Sequence, residues 1–591
     1  MNKRKGVSKL EADLILLHAP SIYDFRQRRD MYFPFLGTSG DVPITPLYEY
    51  FPLGFMTLKR FLADRSYNIK IINISTLLLR YPHTDMNALI SAFNSLLIGI
   101  DLHWMVHVQG SLALAEQIKK IRKDIPIIFG GISATYYASQ LIKYPCVDMV
   151  MRGYDTHEPM NCLLEVLKRY KPLDTVPNLL WKSRGGQLYD NGISHFPEKY
   201  GRGIDWDKQR SIPATKQISP ILEFLSAQNI GCTYNCGWCG GSRDAFRRIY
   251  KQKKAIIRKQ PHEIKKEFNS FSKIPQIDKY FFYSIGSYNE TKLSMDFFIN
   301  RVRETNFKSV GYEQYHLTSE NVLKQMVKAN KRTVIALSPE SHDIKIARKA
   351  GKGVYTNDEM EHWIKKALGL GIYRIDIWYL IGMPEQDEKS VMGTVDYCRR
   401  LLRLFKGKAV NPVICPMIPF LDPGSTFFEN PQKHGYHVYY KTVEEHRMAM
   451  TRASIINRIN YETTRLTRND LVHVGYKAVR LLMEGKADFG LLPTSWVEKF
   501  NHKIDDAIEF IDIVHEADCI SDEKERRREI ERLGDEILNR NNAVLFNGVA
   551  NQAFPANREI GGRWFDEIGW EDDVLAAFSN AHEVKISPEI V

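Results

Sequence analysis

Cysteine is scarce in this chain: eight residues in 591, too few and too scattered for a disulfide framework. No apolar run reaches the roughly 18 residues that a membrane-spanning helix needs. The stretch from Met1 to Glu11 is basic, but the apolar run behind it, Leu14 to Ala19, is too short for a secretory leader and reads as a strand. These absences lead us to expect a cytoplasmic protein. Lys and Arg exceed Asp and Glu by 12 charges, yet the basic residues form only short clusters, Arg247–Arg248 with Lys251–Lys254, and Lys524–Arg528. No nucleic-acid module can be read from them. The excess suits a solvated surface, peripheral contact with anionic headgroups, or an acidic redox partner.

What the chain does hold is a concentration of thiols. Cys146, Cys162, Cys398, Cys415 and Cys519 are isolated and read as structural. Cys232, Cys236 and Cys239 lie within thirteen turn-like residues, Asn229 to Gly241. Trp238 precedes the last cysteine, and Gly240 and Gly241 follow it. Thiolates hold iron–sulfur clusters, and a four-iron cluster usually takes four of them. Three ligands leave one iron open to a substrate or cofactor. A structural zinc site needs four ligands, commonly two pairs, and no second pair is visible.

At 591 residues the chain is too long for one core. Residues 1–170 alternate strand and helix, with strands expected at Asp13–His18, Ile69–Ile74, Leu96–Ile100, Ile125–Phe129 and Val147–Met151. Such alternation means a doubly wound parallel sheet, which binds ligands beyond the carboxyl ends of its strands. Residues 171–215 read as a connector with a small hairpin from Val176 to Gly186. Residues 216–430 repeat the βα unit six times, and the cysteines follow the first strand, Pro220–Ala227. The loop after a barrel strand is where catalytic groups are placed. Residues 431–591 are mainly helical, including patterns at Thr442–Arg452, Arg468–Glu484, Ser495–His515 and Asp522–Asn539. Between them Tyr461–Arg465 is polar and reads as capping and packing, or as a segment facing the active site.

The cysteine loop resembles the signature of the radical S-adenosylmethionine (radical SAM) enzymes. The resemblance extends to the subfamily that carries a cobalamin-binding domain, over roughly residues 12–430. It implies a Rossmann-like cobalamin domain, a partial (β/α)6 radical SAM barrel and a helical C-terminal region. It also implies three cofactors, namely a 4Fe-4S cluster on Cys232, Cys236 and Cys239, SAM chelated by the open iron, and cobalamin. In that family the reduced cluster cleaves SAM to a 5′-deoxyadenosyl radical.

Three patches resemble the cobalamin domain: Pro52–Gly54, Phe129–Ser133 and Val150–Gly153. Gly130, Gly131, Ser133, Arg152 and Gly153 are the implied contacts, because paired glycines let backbone approach a flat corrin. Other cobalamin proteins ligate cobalt through the histidine of an Asp-x-His-x-x-Gly motif. Here His18 stands alone, and Asp101–Leu–His103 follows a different strand without the glycine, so the sequence does not support a histidine ligand.

Around SAM, Ser338–Ser341 and Lys349–Gly353 resemble the family's Glu-Ser-Gly-Ser and Lys-Gly segments. Leu380–Glu385 resembles its Ile-Gly-Leu-Pro-Gly-Glu segment. Trp238, Gly240, Gly286, Ser287, Ser338, Glu340, Gly382 and Pro384 are the implied SAM contacts. Met417–Gly424 resembles a Pro-x-Pro-Gly-Thr segment of cobalamin-dependent members.

The expected reaction is methylation of an unactivated carbon in a small molecule. The sequence leaves open a radical cyclase, another carbon–carbon bond-forming enzyme, or a non-catalytic corrinoid or redox sensor. A flavodoxin or ferredoxin type of reductant is the expected partner. Tyr283, Glu313, Tyr315 and His316, at the ends of barrel strands, are expected to meet substrate, with Glu313, Tyr315 and His316 as candidate catalytic residues.

Overall fold

The computed structural model describes residues 9–34, 52–199, 203–208, 223–285, 292–415 and 421–546. Seven strands form the first sheet, in the order β2-β1-β3-β4-β5-β6-β7. They are β1 (Leu10–His18), β2 (Ile69–Asn73), β3 (Phe93–Asp101), β4 (Ile127–Gly130), β5 (Met149–Met151), β6 (Leu179–Lys182) and β7 (Leu188–Asp190). The first five run parallel, and β6 and β7 turn back antiparallel at the edge. The apolar runs expected at these positions are buried on both faces. In β1, Leu14, Ile15, Leu16 and Leu17 are all at most 1% exposed, as a strand covered by helices on both sides requires. The strand order reverses between β1 and β3, and their carboxyl ends form the crevice where such sheets take ligands. The hairpin expected in the connector is β6–β7, and it extends this sheet.

Two short strands, β9 (Asn229–Gly231) and β10 (Ile256–Arg258), pair antiparallel around the cysteine loop. The second main sheet is all parallel. It has six strands in the order β15-β14-β13-β12-β11-β8. They are β8 (Glu223–Ala227), β11 (Phe281–Ile285), β12 (Ser309–Gln314), β13 (Thr333–Glu340), β14 (Arg374–Leu380) and β15 (Val410–Cys415). Each strand pairs with its sequence neighbour in this series, so the sheet is an open βα array and not a closed barrel among the described residues. Its inner core is aromatic: Phe224, Phe271, Phe282 and Phe298 are fully buried and in ring contact.

The remainder wraps the two sheets. β16 (Tyr436–Val438) and β17 (Tyr461–Thr463) form a small ladder. Long helices follow at Arg468–Asp488 and Thr494–Asp518. The helix expected over Asp522–Asn539 is two, Glu523–Arg532 and Gly534–Phe546. A Cβ on Gly534 would lie 3.3 Å from the Arg29 side chain, so the second of these helices starts close against the segment after β1. That helix clasps the segment after β1. Asn541 Oδ1 accepts from the Phe33 amide at 2.7 Å, and its Nδ2 donates to the Met31 carbonyl at 2.8 Å.

The first sheet's helices also meet the segment after β15. Tyr136 donates to Glu429, and Tyr137 to the Lys441 carbonyl, both at 2.7 Å. His446, fully buried, sits at this junction among the rings of Tyr137 and Phe428. Its Nδ1 donates to the Thr442 carbonyl at 2.8 Å, and its Nε2 accepts from Asn460 Nδ2 at 3.3 Å. This pattern suits only the neutral ring, and burial pushes the imidazole down to about 4.

The unfolded chain therefore binds a proton between about pH 6.5 and 4 that the folded chain refuses. Stability contributed at neutral pH is lost as pH falls through that window, by roughly 3 kcal/mol at the full shift. In His446→Gln, which keeps a donor and an acceptor but cannot titrate, the fall in denaturation midpoint between pH 7 and pH 4.5 is expected to be smaller than in wild type. Equal slopes in the two proteins count against the assignment.

Candidate active site

The cysteines leave β8 through β9 into a tight loop held by backbone contacts. The Cys239 amide donates to the Cys236 carbonyl and the Ser242 amide to that of Cys239, both at 3.2 Å. Cys236 is buried and the other two are half-buried, and all three are free thiols. The 4.8 Å spacing of ligand atoms that a single ion needs is met, among the described residues, by another group and not by these three. Burial pushes the Cys236 thiol up to about 12, with Lys352 opposing it, and raises Cys232 and Cys239 also.

Two glycines let neighbouring chain close on the loop. A Cβ on Gly351 would lie 2.2 Å from the Asn235 carbonyl, and one on Gly237 would lie 2.2 Å from the Phe427 ring. Gly237 donates to the Ala350 carbonyl at 2.9 Å, and Phe427 donates back to the Gly237 carbonyl at 2.8 Å.

Beside the loop lies a charged group. Glu340, at the end of β13, is 2% exposed and adopts φ 70°, a left-handed conformation that costs a non-glycine residue about 1 kcal/mol or more. Its Oε1 lies 3.5 Å from Lys352 Nζ. The ammonium is in turn 3.7 Å from the Tyr315 ring centroid and 5.4 Å from that of Tyr234, within cation–π range. Burial alone disfavours the ammonium, but Cys236, Glu340 and Glu313 hold it above the ordinary lysine value.

A carboxylate links the first sheet to this loop. Asp422 Oδ1 accepts from Trp104 Nε1 at 2.8 Å, and Oδ2 accepts from the Gly240 amide at 2.9 Å. Trp104 stands just beyond β3, where His18, Asp101 and His103 also meet. Gly131, with φ 114°, packs on that corner. A Cβ there would lie 2.7 Å from the Leu102 carbonyl, so this turn requires glycine. Among the described residues a Cβ at Gly130 would meet only the Met151 carbonyl, at 3.9 Å.

Comparison with known proteins bears on the fold that brings these parts together. Residues 41–163 match the family model of the B12 binding domain. No curated protein sequence matches the chain. Among solved structures, the cobalamin-dependent S-adenosylmethionine radical enzyme OxsB, with aqua-cobalamin and S-adenosylmethionine bound, superposes with a TM-score of 0.55 at 12% identity. The match covers 96% of this chain and 84% of that one. The radical S-adenosylmethionine methyltransferase TsrM from Kitasatospora setae, with cobalamin and a 4Fe-4S cluster bound, gives 0.52 at 12% identity over 85% of this chain and 100% of that one.

The chain has the fold of the cobalamin-dependent radical SAM enzymes.

On that fold the expected residues fall into groups. Cys232, Cys236, Glu313, Tyr315 and Glu340 act electrostatically on one another around Lys352. His316 follows on the same turn, half-buried, with its imidazole lowered by burial. Tyr283 lies across β12 against Gly311, where a Cβ would come within 2.3 Å of its ring. Ser338 and Ser341 line one small cleft with Tyr315, Lys352 and Tyr355.

Gly382, φ 91°, donates to Gln386 at 2.8 Å, and its carbonyl accepts from the Tyr436 hydroxyl at 2.8 Å. Tyr461 crowds the same glycine, so the β16–β17 ladder braces the turn that holds Pro384. Trp238 offers its carbonyl to the Asp422 amide at 3.1 Å. Ser133 donates to the His103 carbonyl at 3.2 Å. Arg152 turns the other way, its guanidinium on Asp190 and the Asn178 carbonyl at the sheet edge. Gly153, φ 118°, donates to Thr135 Oγ1 at 3.2 Å. Gly286 and Ser287 lie outside the described residues.

Sequence reasoning missed Lys352, Asp422 and Tyr234 as site residues. Lys352 stood within a quoted motif, and Asp422 within the segment before Gly424, so the signal was present. Only their contacts show their place.

Removing the Asp422 acceptor strands two donors at a cost of roughly 1–3 kcal/mol. In Asp422→Ala, amide exchange at Gly240 is expected to accelerate about five-fold or more, read by hydrogen–deuterium exchange of the peptide spanning the cysteines. Asp422→Asn, which retains an acceptor oxygen, is expected to fall between. Unchanged exchange in the alanine variant removes Asp422 as the tie.

Proposed function

We propose that the chain is a cobalamin-dependent radical SAM enzyme that transfers a methyl group from SAM to an unactivated carbon of a small molecule. The observation that carries this reading is the tie Trp104–Asp422–Gly240. It fixes the ligand-binding end of the B12-binding sheet to the thiol loop of the second sheet. A substrate between the two would meet both cofactors, and that is the arrangement methyl delivery to a carbon radical needs.

Cys232, Cys236 and Cys239 would hold a 4Fe-4S cluster. Ser338, Glu340, Gly382 and Pro384 would border SAM. The crevice beyond β1 and β3, with Gly130 and Gly131, would hold the corrin. The cofactors supply the radical and the methyl group; the protein supplies position and seclusion. In this reading Lys352 offsets negative charge at the thiolates. Glu313 and His316 orient the substrate or carry its proton. The helical C-terminal region covers the site against water and oxygen.

A flavodoxin or ferredoxin type of reductant, acidic against this basic surface, would supply electrons. Among the described residues no helix is long and apolar enough to cross a membrane.

The reaction class is read by comparing metabolites of a deletion strain and its parent. A substrate lighter by one methyl group is expected, and labelled SAM methyl should enter the product. Accumulation of a compound heavier by two hydrogens would favour cyclisation instead.

Two sets of variants test the residues. Cys236→Ala is expected to lose the cluster's visible absorbance and all SAM cleavage after anaerobic reconstitution. Glu313→Ala and His316→Ala should keep wild-type iron content yet raise SAM cleaved per product several-fold, because a misplaced substrate no longer quenches the radical. Wild-type coupling in both would remove these residues from the site.

A further inference from the structure

His18 and Asp101 are 83 residues apart in sequence, but parallel pairing of β1 with β3 brings their strand ends together. Asp101 Oδ2 accepts from His18 Nδ1 at 2.8 Å and from His103 Nδ1 at 3.1 Å. The ring of His107 completes the group, 5.2 Å from each of the other two, and its Nδ1 donates to the Ala19 carbonyl at 2.9 Å. One ligand atom from each of His18, Asp101 and His103 lies within 4.8 Å of the others, a spacing that suits a metal. A carboxylate holding Nδ1–H fixes the tautomer and directs coordination to Nε2, the usual arrangement behind a metal-bound histidine.

Burial separates the three rings. The side chains of His18 and His107 are almost wholly enclosed, whereas that of His103 is 39% exposed. His103 also stands at the crevice where strand order reverses. Ser133 of the Gly130–Gly131 turn donates to its carbonyl. Its neighbour Trp104 is tied through Asp422 to the cysteine loop. A bare ion held by all three residues would need the Asp101 oxygen that two imidazoles already share, and would have to reach an enclosed His18. A metal that takes one axial nitrogen needs neither.

We infer that His103 is the protein's axial ligand to the cobalt of a bound corrin, with Asp101 and His18 as positioning residues. This rests on the reading that the B12-binding segment holds a corrin. It also departs from the sequence, in which the spacing of His103 matches no cobalt-ligating motif.

The probe is cob(II)inamide, a corrinoid without the nucleotide base, so any axial nitrogen must come from protein. It is added anaerobically to the full chain, and cobalt is read by electron paramagnetic resonance. Each high-field cobalt line is expected to split into three by one nitrogen-14, and into two when histidine carries nitrogen-15. His103→Ala and His103→Gln should retain bound cobinamide and give unsplit lines. Asp101→Asn should keep the triplet with an altered cobalt hyperfine coupling and bind cobinamide roughly ten-fold more weakly.

Bound cobinamide with unsplit lines in wild type would overturn the assignment. So would a triplet that survives in both His103 variants but vanishes in His107→Ala. A stoichiometric divalent ion found in wild type, absent from His103→Ala and accompanied by no nitrogen splitting, would replace it with a bare-ion site. Failure of wild type to bind either cobinamide or cobalamin would instead remove the corrin reading beneath it.

Discussion

One carboxylate, that of Asp422, ties the end of the first sheet to the cysteine loop of the second. Asp422 accepts from an indole on the first sheet and from a backbone amide within the cysteine loop. Burial pushes its carboxyl up to about 6, against the pull of those two donors, so at neutral pH it is the ionised form that holds them. Hydrogen bonds to a charged acceptor are roughly twice as strong as neutral ones. The tie is short and has no slack: Pro423 and Gly424 follow at once, and Gly424, φ 82°, packs against Ile249 and Tyr136. Because the segment after β15 touches both units, the crevice of one sheet cannot drift from the thiol loop of the other without breaking this corner.

Around that tie, contacts that exclude side-chain atoms set the site's dimensions. Gly351, φ 94°, lets the turn after the helix Ile344–Lys349 press on Asn235 and Cys236. That pressure carries Lys352 into its buried position between Glu340 and the two tyrosine rings. Gly351 and Lys352 thus work as a unit, in which glycine permits the approach and lysine uses it. Gly382 does the same on β14, where Tyr436 and Tyr461 close over the turn.

Much of this was legible in the sequence. The main parallel strands lie where apolar runs were expected, because strands buried on both faces leave a continuous hydrophobic signal. The cysteine loop and the strand-end turns carry glycines that only a close approach explains. The small ladder β16–β17 left no such signal. Three residues per strand are too few for alternation to register, and Tyr461–Thr463 reads as polar linker until its partner is seen. Asp422 and the group around Asp101 failed for a different reason. Their meaning lies in pairs more than eighty residues apart, which periodicity cannot report. Arg152 shows how little a local motif says of orientation: its resemblance implies a corrin contact, and its guanidinium is turned to Asp190 on an edge hairpin that the motif does not include.

The electrostatics of the thiol loop also bear on how the site assembles. The thiols of Cys232 and Cys236 and the carboxyls of Glu313 and Glu340 share their surroundings with the ammonium of Lys352. Were all the acids ionised, the excess negative charge would be costly in so enclosed a place. Burial settles the conflict by raising the thiols, Cys236 to about 12, so the unloaded loop keeps them protonated. On the proposed reading that these thiols hold a cluster, metal binding and proton release are one event. The loop's backbone contacts to Ala350 and Phe427 hold the three sulfurs in place while they are neutral. On that reading the fold prepares the site's shape in advance and leaves its charge to be completed by the cluster.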